Sequence, residues 1–468
     1  MSEAKSELEL LKEKLFYDRK NAAEVCDAAE IQAADTFCEG YKAFLNTAKT
    51  EREAVAYMVE KAEKNGFVPF NRETKYPAGA KVYFNNRGKA IVLCVVGKKP
   101  LSEGVRLSAA HIDSPRLDLK PNPLYEDGDL ALFKTHYYGG IKKYQWACIP
   151  LSLHGVVVKK DGTTVKVNIG EDATDPQFVV TDLLPHLAGE QMKRTLADGI
   201  RGEELNLLVG SRPFSQDEGS EKIKLNILNI LFEKYGMMES DFLSAELEAV
   251  PAFPARDVGL DRSMIGSYGH DDRVCAYPAA EAIFDVEAPE FTAITCLTDK
   301  EEIGSEGNTG LNSSYLRFFI ADLANANGEN YHTVLRNTQC LSADVNAAFD
   351  PTFPDVLERM NASFINRGVA LTKYTGARGK SGTSDASAEF VGKVRRLLDE
   401  NGVIWQCGEL GKVDVGGGGT VAMFLASLDI DVVDLGVPVL SMHSPFEVVS
   451  KLDVYMAYRA FKAFFEDK

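Results

Sequence analysis

The sequence predicts a layered α/β fold into which a second, β-rich domain is inserted. Its 468 residues exceed what a single hydrophobic core usually holds, so at least two domains are expected. Short apolar runs of strand character alternate with stretches of helical spacing, which is typical of a sheet covered by helices. Between residues 117 and 250 this alternation stops, and strand-like runs with hairpin turns replace it.

The alternating part of the chain begins with helices, because apolar residues recur at helical spacing through residues 2–65. The apolar runs that predict buried strands cover residues 89–98, 104–110, 291–297, 340–344 and 432–435. Helical stretches between and after these strands cover residues 273–285, 312–324, 385–400 and 446–466.

Residues 117–250 form the predicted insertion. Pro121-Asn-Pro123 opens it, and an Asp-Gly turn at 161–162 joins two strand-like runs as a hairpin does. A helix is expected at 222–235. We therefore expect one discontinuous domain, 1–116 with 251–468, and a second domain, 117–250. The alternative is a single large domain with long excursions.

The composition limits the classes of partner and the compartment. The net charge is −17, which disfavours nucleic acid as a partner because binding its backbone needs a basic surface. The eight cysteines form no Cys-x-x-Cys pair, which favours a reducing compartment over a disulfide scaffold. The N-terminus lacks an apolar signal region, and no apolar stretch is long enough to span a bilayer. We therefore expect a cytoplasmic protein with no membrane partner.

The most informative stretch is Thr298-Asp-Lys-Glu-Glu-Ile-Gly-Ser305, which follows the apolar run 291–297. Two adjacent carboxylates at the end of a buried strand are unfavourable unless a cation lies beside them. Adjacent side chains at a strand end alternate between its faces, so one glutamate can face a metal while its neighbour faces a water molecule, as a metal-assisted hydrolase requires. The alternative is an acidic turn without chemistry.

Further ligand-type residues stand at the ends of apolar runs or at the start of a helix, where sites in α/β sheets lie. Each has another explanation alone: a histidine can be a hydrogen-bonded core residue, and an aspartate can cap a helix. His270 is a further candidate ligand, ranked below Asp271. Together, side chains of these types form a full set for two divalent metals: His111, one of Asp271 and Asp272, one of Glu301 and Glu302, Asp344 and His443. Asp113 is placed to hold the imidazole of His111 in one tautomer.

With these residues considered together, the chain resembles the aspartyl aminopeptidase and vacuolar aminopeptidase I family of dinuclear zinc metallopeptidases. The resemblance covers essentially the whole chain. It is carried by motifs that contain the candidate ligands: His111-Ile-Asp-Ser-Pro115, His270-Asp-Asp-Arg273, Glu301-Glu-Ile-Gly-Ser305, Leu341-Ser-Ala-Asp344 and Ser441-Met-His443.

This resemblance implies a three-layer, mixed-sheet catalytic domain and identifies the insertion as a dimerisation domain. One metal would take His111, Asp344 and the shared carboxylate of Asp271, and the other would take Glu302, His443 and the same Asp271. Glu301 would be the general base of a water activated by the two metals, and Asp113 would support His111. The resemblance implies zinc, with cobalt or manganese able to substitute, and homodimers that assemble into a homododecamer acting on short peptides.

Several residues are candidates for contact with the substrate. In the glycine-rich segment 414–420, the backbone of Gly417 and Gly418 can approach a substrate closely, because glycine has no side chain. Lys380 could favour an acidic substrate side chain, or belong to a solvated loop. His186 resembles a histidine that lies near the neighbouring subunit's active site, or is an ordinary surface or core histidine. An acidic and a neutral preference for the N-terminal residue both remain open.

The predicted function is a metal-dependent aminopeptidase. One alternative is another dinuclear amidohydrolase, a carboxypeptidase or deacylase, which would act on substrates with a free carboxylate or a blocked amine. The other is a non-catalytic peptide-binding shell. Glu301 and the full ligand set argue against that shell, because a retired site has no physical reason to keep a costly acidic cluster.

Overall fold

A computed structural model describes residues 5–17, 19–215 and 219–468 of the chain. Residues 2–4 and Asp18, which fall within the predicted helical segment 2–65, lie outside the described residues. The helices are α1 (Glu7–Leu15), α2 (Ala22–Val25), α3 (Ala28–Thr47), α4 (Glu51–Lys64), α5 (Lys222–Tyr235), α6 (His270–Phe284), α7 (Tyr315–Ala326), α8 (Tyr331–Asn337), α9 (Ala388–Glu400), α10 (Ala422–Ala426) and α11 (Lys451–Phe465). Among the described residues, no helix is long and apolar enough to cross a membrane.

The strands, in chain order, are β1 (Val68–Pro69), β2 (Lys81–Asn86), β3 (Ala90–Val95), β4 (Arg106–His111), β5 (Arg116–Asp127), β6 (Leu130–Tyr138), β7 (Leu151–Val158), β8 (Thr164–Ile169), β9 (Val179–Val180), β10 (Leu207–Gly210), β11 (Ala245–Pro251), β12 (Arg256–Val258), β13 (Met264–Ser267), β14 (Ala293–Thr298), β15 (Gln339–Ser342), β16 (Asn346–Ala347), β17 (Val369–Thr372), β18 (Trp405–Cys407), β19 (Asp431–Gly436), β20 (Pro438–Leu440) and β21 (Glu447–Ser450).

The largest sheet has nine strands in the order β1-β2-β3-β14-β4-β15-β19-β17-β18. Its centre, β14-β4-β15-β19, is parallel, while β3 and β17 pair antiparallel at either side of that centre. One face packs against α3, α4, α6, α9 and α11 in one apolar core, and the other against α7, α8 and α10 in a second core. The prediction of a three-layer α/β fold with a mixed sheet is therefore confirmed.

A second sheet of seven strands, β8-β7-β11-β5-β6-β10-β9, is built entirely from residues 116–251. Its strands pair antiparallel, and the hairpin β7–β8 turns at the predicted Asp-Gly step. Its apolar side chains form a separate cluster that includes the buried Trp146. The domain boundaries stay a prediction, which this separate pairing supports.

A small third sheet, β12-β13-β21-β20-β16, was not anticipated from the sequence. It changes one predicted element: the helix expected over 446–466 is divided into strand β21 and helix α11. Residues 447–450 are extended because β21 pairs with both β13 and β20, and the side chain of Ser450 then caps α11. Four strands of the large sheet, β1, β2, β17 and β18, were also not predicted.

A buried ionic cluster joins the second sheet to helix α4 of the large domain. His154 on β7 is 2% exposed, and its ring nitrogens contact Glu53 of α4 at 2.8 Å and Glu171 at 3.0 Å. Lys49 also contacts Glu171 and donates to the carbonyl of Pro251. Burial opposes the charge on His154, but hydrogen bonds to both carboxylates raise its pKa. Burial raises the pKa of Glu171, but His154 and Lys49 lower it by more, to about 2.

We expect His154→Gln to lower the free energy of unfolding by about 3 kcal/mol, because it leaves two carboxylates facing each other without their shared cation. Because the pKa of His154 is raised in the folded protein, the protonated histidine stabilises the fold at pH values below the ordinary histidine pKa of about 6.5. This stabilisation is lost as the pH rises through the pKa of the folded state. The loss should therefore be larger at about pH 6 than at about pH 8.5, since Glu171 stays ionised throughout that window.

Thermal unfolding at both pH values measures this difference. His332→Gln is the control, because His332 is exposed and its ring makes no hydrogen bond among the described residues. An equal loss at both pH values would contradict a charged His154.

Candidate metal centre

The parallel centre of the large sheet brings most of the predicted site residues to one edge. His111 is the last residue of β4, Glu301 and Glu302 form a short 3₁₀ turn after β14, and Asp344 follows β15. Because these strands are parallel neighbours in the order β14-β4-β15, their carboxyl ends lie side by side.

The small sheet supplies the other two predicted ligands. Asp271 follows β13 at the start of α6, and it departs from helical φ and ψ angles, as does Asp272. The peptide bond between them is cis. His443 follows β20 in a turn with a positive φ of 62°. The pairing of β13 with β21, and of β21 with β20, places Asp271 and His443 next to each other.

Asp271 lies at the centre of the cluster. Its Oδ1 is 3.0 Å from Nε2 of His111, and its Oδ2 is 3.0 Å from Nε2 of His443. Oδ1 of Asp344 lies 3.9 Å from the His111 nitrogen, and Oε1 of Glu302 lies 3.5 Å from the His443 nitrogen. The structure thus brings the five predicted ligands together as two groups that share Asp271.

Glu301 lies beside the first group, with Oε2 3.8 Å from Nε2 of His111. Its side chain is 19% exposed, whereas that of Glu302 is 2% exposed. Glu301 can therefore meet a molecule that enters the cleft, while Glu302 faces inward as the alternation of adjacent side chains suggested.

The cluster carries more negative charge than its own residues neutralise. Burial and neighbouring carboxylates raise the pKa of Glu301 to about 7, and they raise the pKa of Glu302 and Asp344 well above the ordinary range. Burial opposes ionisation of Asp271, but His111 and His443 outweigh it and lower its pKa. Burial likewise disfavours the charged form of His443, but Asp271 raises its pKa to about 10.

Orphaned oxygen atoms show that these residues fit metal ions. Oδ1 of Asp271 and Oε1 of Glu302 are buried and accept no hydrogen bond. Oδ1 of Asp271 lies 3.0 Å from Nε2 of His111, but the angles at this contact are not those of a hydrogen bond. Buried oxygen lone pairs that converge without a hydrogen-bond donor are unfavourable unless a cation binds to them. Ligand atoms of His111, Glu301 and Asp344 lie within 4.8 Å of one another, as do those of His111, Asp271 and Glu302. Imidazole and carboxylate ligands suit zinc.

Asp113 supports this centre, although in a different way from the one expected. Nδ1 of His111 contacts the backbone carbonyl of Asp113 at 2.9 Å, and the carboxylate is farther, at 3.3 Å. That carboxylate instead accepts from the backbone N–H groups of Glu301 and Glu302, each at 3.2 Å. Asp113 therefore orients the glutamate pair as well as the histidine.

Sequence reasoning missed three residues that contact the site: Tyr138, Gly140 and Glu447. Tyr138, at the end of β6, donates its hydroxyl to Asp113 at 2.8 Å. The carbonyl of Gly140 lies 2.7 Å from Nδ1 of His443, which leaves Nε2 of that ring free to face Asp271. Glu447 on β21 is buried and accepts from the backbone N–H groups of Asp271 and His443. No sequence motif marks them, because their partners are distant along the chain.

His270 is not part of the cluster. It is fully buried, with Nδ1 2.8 Å from the hydroxyl of Tyr41 and Nε2 3.1 Å from the carbonyl of Ile265. Burial lowers its pKa to about 3. With both nitrogens engaged, His270 is a neutral core histidine.

A cavity of about 770 Å³ opens beside His443. Gly417 lines it, and Gly418 lies behind it against Leu410. Lys380 does not line the cavity; it pairs with Asp385. His186 is exposed on the segment after β9 and does not join the cluster of its own chain.

Comparison with known proteins agrees with this geometry. The chain matches the family model "Aminopeptidase I zinc metalloprotease (M18)" over residues 44–465. A protein named "Probable M18 family aminopeptidase 1" from Clostridium acetobutylicum is 48% identical over 459 residues, which cover 96% of this chain and 98% of that protein. A protein with the same name from Thermotoga maritima is 48% identical over 454 residues, covering 96% and 99%.

Solved structures show the same fold. The crystal structure of the M18 aminopeptidase from Thermotoga maritima has a TM-score of 0.92 at 47% identity. The match covers 97% of this chain and 100% of that one. A structure of the S. cerevisiae mApe1 dodecamer has a TM-score of 0.75 at 22% identity, covering 93% and 97%, and this similarity concerns the fold alone. Because the family model spans most of the chain and these relatives match nearly its whole length, the chain belongs to the M18 family of aminopeptidases, which are zinc metalloproteases.

Proposed function

We propose that this aminopeptidase removes N-terminal residues from short peptides with two divalent ions and Glu301 as general base. The observation that carries the proposal is that the two oxygens of Asp271 face two different histidines, each at 3.0 Å. A single carboxylate between two such groups is the arrangement of a two-metal site.

His111, Asp344 and Asp271 would hold one ion, and His443, Glu302 and Asp271 the other. Zinc is the expected metal, and cobalt or manganese suits the same ligands. When bound, the ions would lower the pKa of a water molecule and polarise the carbonyl of the scissile bond. The buried carboxylates would hold the ions, because among the described residues none of Asp271, Glu302 and Asp344 forms an ion pair with a lysine or an arginine.

Glu301 is the residue best placed to move protons. It is partly exposed beside His111, and Asp113 fixes its backbone. It would take a proton from the attacking water as the oxygen bonds to the carbonyl carbon. It would then give that proton to the leaving amine as the C–N bond breaks, so the group ends unchanged.

The acidic cluster favours a substrate with a free amine over one with a free carboxylate. With Glu302 and Asp344 bound to the ions, the carboxylate of Glu301 would be left without a cation, and it would attract a positively charged α-amine and repel a substrate carboxylate. A carboxypeptidase would need a cation dedicated to that carboxylate. Besides His443, the charged residues that line the cavity are one lysine, Lys142, and one aspartate, Asp350. Their opposite charges sum to zero.

We also propose a cytoplasmic homo-oligomer, with dimers that assemble into a dodecamer like that of the yeast relative. Exposed apolar side chains on the segment after β9 support an interface there: Leu183, Leu184, Leu187, Met192 and Leu196. His186 lies among them, which supports the proposal that it reaches a neighbouring subunit's active site. Free cysteines support the compartment.

Glu301→Gln should lower kcat by about 10³-fold, because the amide cannot accept the proton of water. The ions should still bind, since their proposed ligands are unchanged. Hydrolysis of aminoacyl-p-nitroanilides gives kcat, and elemental analysis gives the metal content. Activity within a few-fold of the wild type would exclude Glu301 as the base.

Removal of metal should abolish turnover, and zinc, cobalt or manganese should restore it. We expect about two ions per chain in the wild type, and Asp271→Asn should lose at least one of them because the bridging charge is gone. Titration of the metal-free protein measures both. Asp285→Asn is a suitable control, since Asp285 follows α6 at its other end. Unchanged stoichiometry in Asp271→Asn would contradict the shared carboxylate.

Tyr138→Phe should lower kcat/KM about tenfold, because Asp113 loses a charge-assisted hydrogen bond and the glutamate pair is less firmly oriented. Tyr137→Phe is the matched control: Tyr137 is the neighbouring, 39% exposed residue. If Tyr138→Phe only destabilised the fold, the unfolding temperature would fall and the pH dependence of kcat would stay the same. Both quantities are therefore measured. Equal activity of the two variants would show that Tyr138 does not position Asp113.

A further inference from the structure

A second cavity, of about 640 Å³, lies between helix α7 and the edge of the large sheet. It is bounded by residues 69–72 at the end of β1, by residues 84–87 where β2 turns toward β3, and by residues 315–322 of α7. None of its lining residues belongs to the proposed metal site or to the cavity beside His443. Its volume is typical of small-molecule sites, which span about 300–1,000 Å³.

The walls of this cavity are largely aromatic. Five rings line it: Phe70, Phe84, Tyr315, Phe318 and Phe319. The ring centroid of Phe319 lies 4.6 Å from that of Phe70 and 6.3 Å from that of Phe84, so these three rings form one continuous surface. Phe318, in contrast, is 57% exposed. Aromatic rings pack well against other rings in offset or edge-to-face contacts, so these walls favour a ligand with an aromatic group.

Three charged side chains line the same cavity without neutralising one another: Arg72, Arg87 and Asp322. Asp322 is half-buried, and its carboxylate forms no hydrogen bond or ion pair with any described residue. The guanidinium of Arg72 also has no partner in the described part of the chain. Arg87 donates to Oδ1 of its neighbour Asn86 at 2.6 Å and forms no ion pair with a described residue. The carboxylate and the guanidinium groups therefore stay more than 4.0 Å apart, and all three are available to a ligand.

This division of charge indicates the class of ligand. A simple anion would meet the two arginines but would be repelled by Asp322, and a simple cation would be repelled by the arginines. A zwitterion satisfies both signs, because its carboxylate can pair with a guanidinium while its ammonium group pairs with the aspartate. With the aromatic walls added, the matching ligand is an α-amino acid that carries an aromatic side chain. An aminopeptidase releases free amino acids, so its own reaction supplies this class of molecule.

We infer that the cavity between α7 and the sheet edge is a second ligand site, which binds a free aromatic amino acid such as phenylalanine. Asp322 binds the ammonium group, Arg72 and Arg87 bind the carboxylate, and the aromatic walls bind the side chain. The inference uses none of the proposed metal ligands and is independent of the two-metal mechanism.

The test measures binding of L-phenylalanine to the zinc-loaded, full-length protein by titration calorimetry. The active site also binds released amino acids, so the test compares variants of the second cavity, in which the active site is unchanged. We expect Asp322→Asn and Arg87→Gln each to weaken one binding event at least tenfold, while kcat/KM for an aminoacyl-p-nitroanilide stays within twofold of the wild type. Arg317→Gln is the matched control, because Arg317 lies on the same helix, contacts Ser314 and does not line the cavity.

Two analogues of phenylalanine separate the charges of the ligand. Phenethylamine lacks the carboxylate and 3-phenylpropionate lacks the ammonium group, and neither contains a bond that the enzyme can hydrolyse. Each should bind to this cavity at least tenfold more weakly than L-phenylalanine. L-Alanine, which keeps both charges without the ring, should also bind at least tenfold more weakly.

Three outcomes would overturn the inference. Equal binding of L-phenylalanine by the wild type, Asp322→Asn and Arg87→Gln would place the amino acid in the active site alone. Binding of 3-phenylpropionate as tight as that of L-phenylalanine would assign the cavity to aromatic anions. A smaller oligomer in Phe318→Ala, measured by sedimentation, with unchanged binding of L-phenylalanine would show that a second copy of this chain covers the cavity.

Discussion

The carboxylates around Asp271 repel one another, and the fold has to hold them within one buried cleft. Asp113, Glu301, Glu302, Asp344 and Glu447 all lie around it, and among the described residues His111 and His443 are the basic side chains that contact Asp271. Such a concentration of like charge in a low-dielectric site is tolerable only with cations bound. Strands β14, β4 and β15 and the small sheet therefore hold these carboxylates in place. Metal binding offsets the energetic cost of their mutual repulsion.

The second sheet contributes to this support. Tyr138 and Gly140, which follow one another closely at the end of β6, contact Asp113 and His443 on opposite sides of the cleft. The guanidinium of Arg116 lies 3.9 Å from the Tyr138 ring and pairs with Glu248 of β11. Residues 116–251 therefore also set the orientation of residues in the proposed metal site, through the contacts of Tyr138 and of Gly140, which follows β6.

Charge is divided within the cleft in a way that matches an aminopeptidase. The strongly acidic part surrounds the proposed ions and suits the positive α-amine of a peptide. The adjoining cavity is almost neutral, and the lysines nearby are paired with Asp385 instead of facing it.

The sequence by itself determined the layered fold with its mixed sheet and, with the family resemblance, the candidate ligands, because an apolar run and a ligand-type residue at its end are local patterns. It could not determine the small sheet, whose strands are too short to show periodicity, nor the roles of Tyr138 and Glu447, whose partners are distant in sequence. Lys380 shows the same limit: the sequence shows a free cation near a glycine-rich loop, whereas the tertiary structure pairs it with Asp385. Contacts between distant segments decide which charges stay free, and only the folded chain contains them.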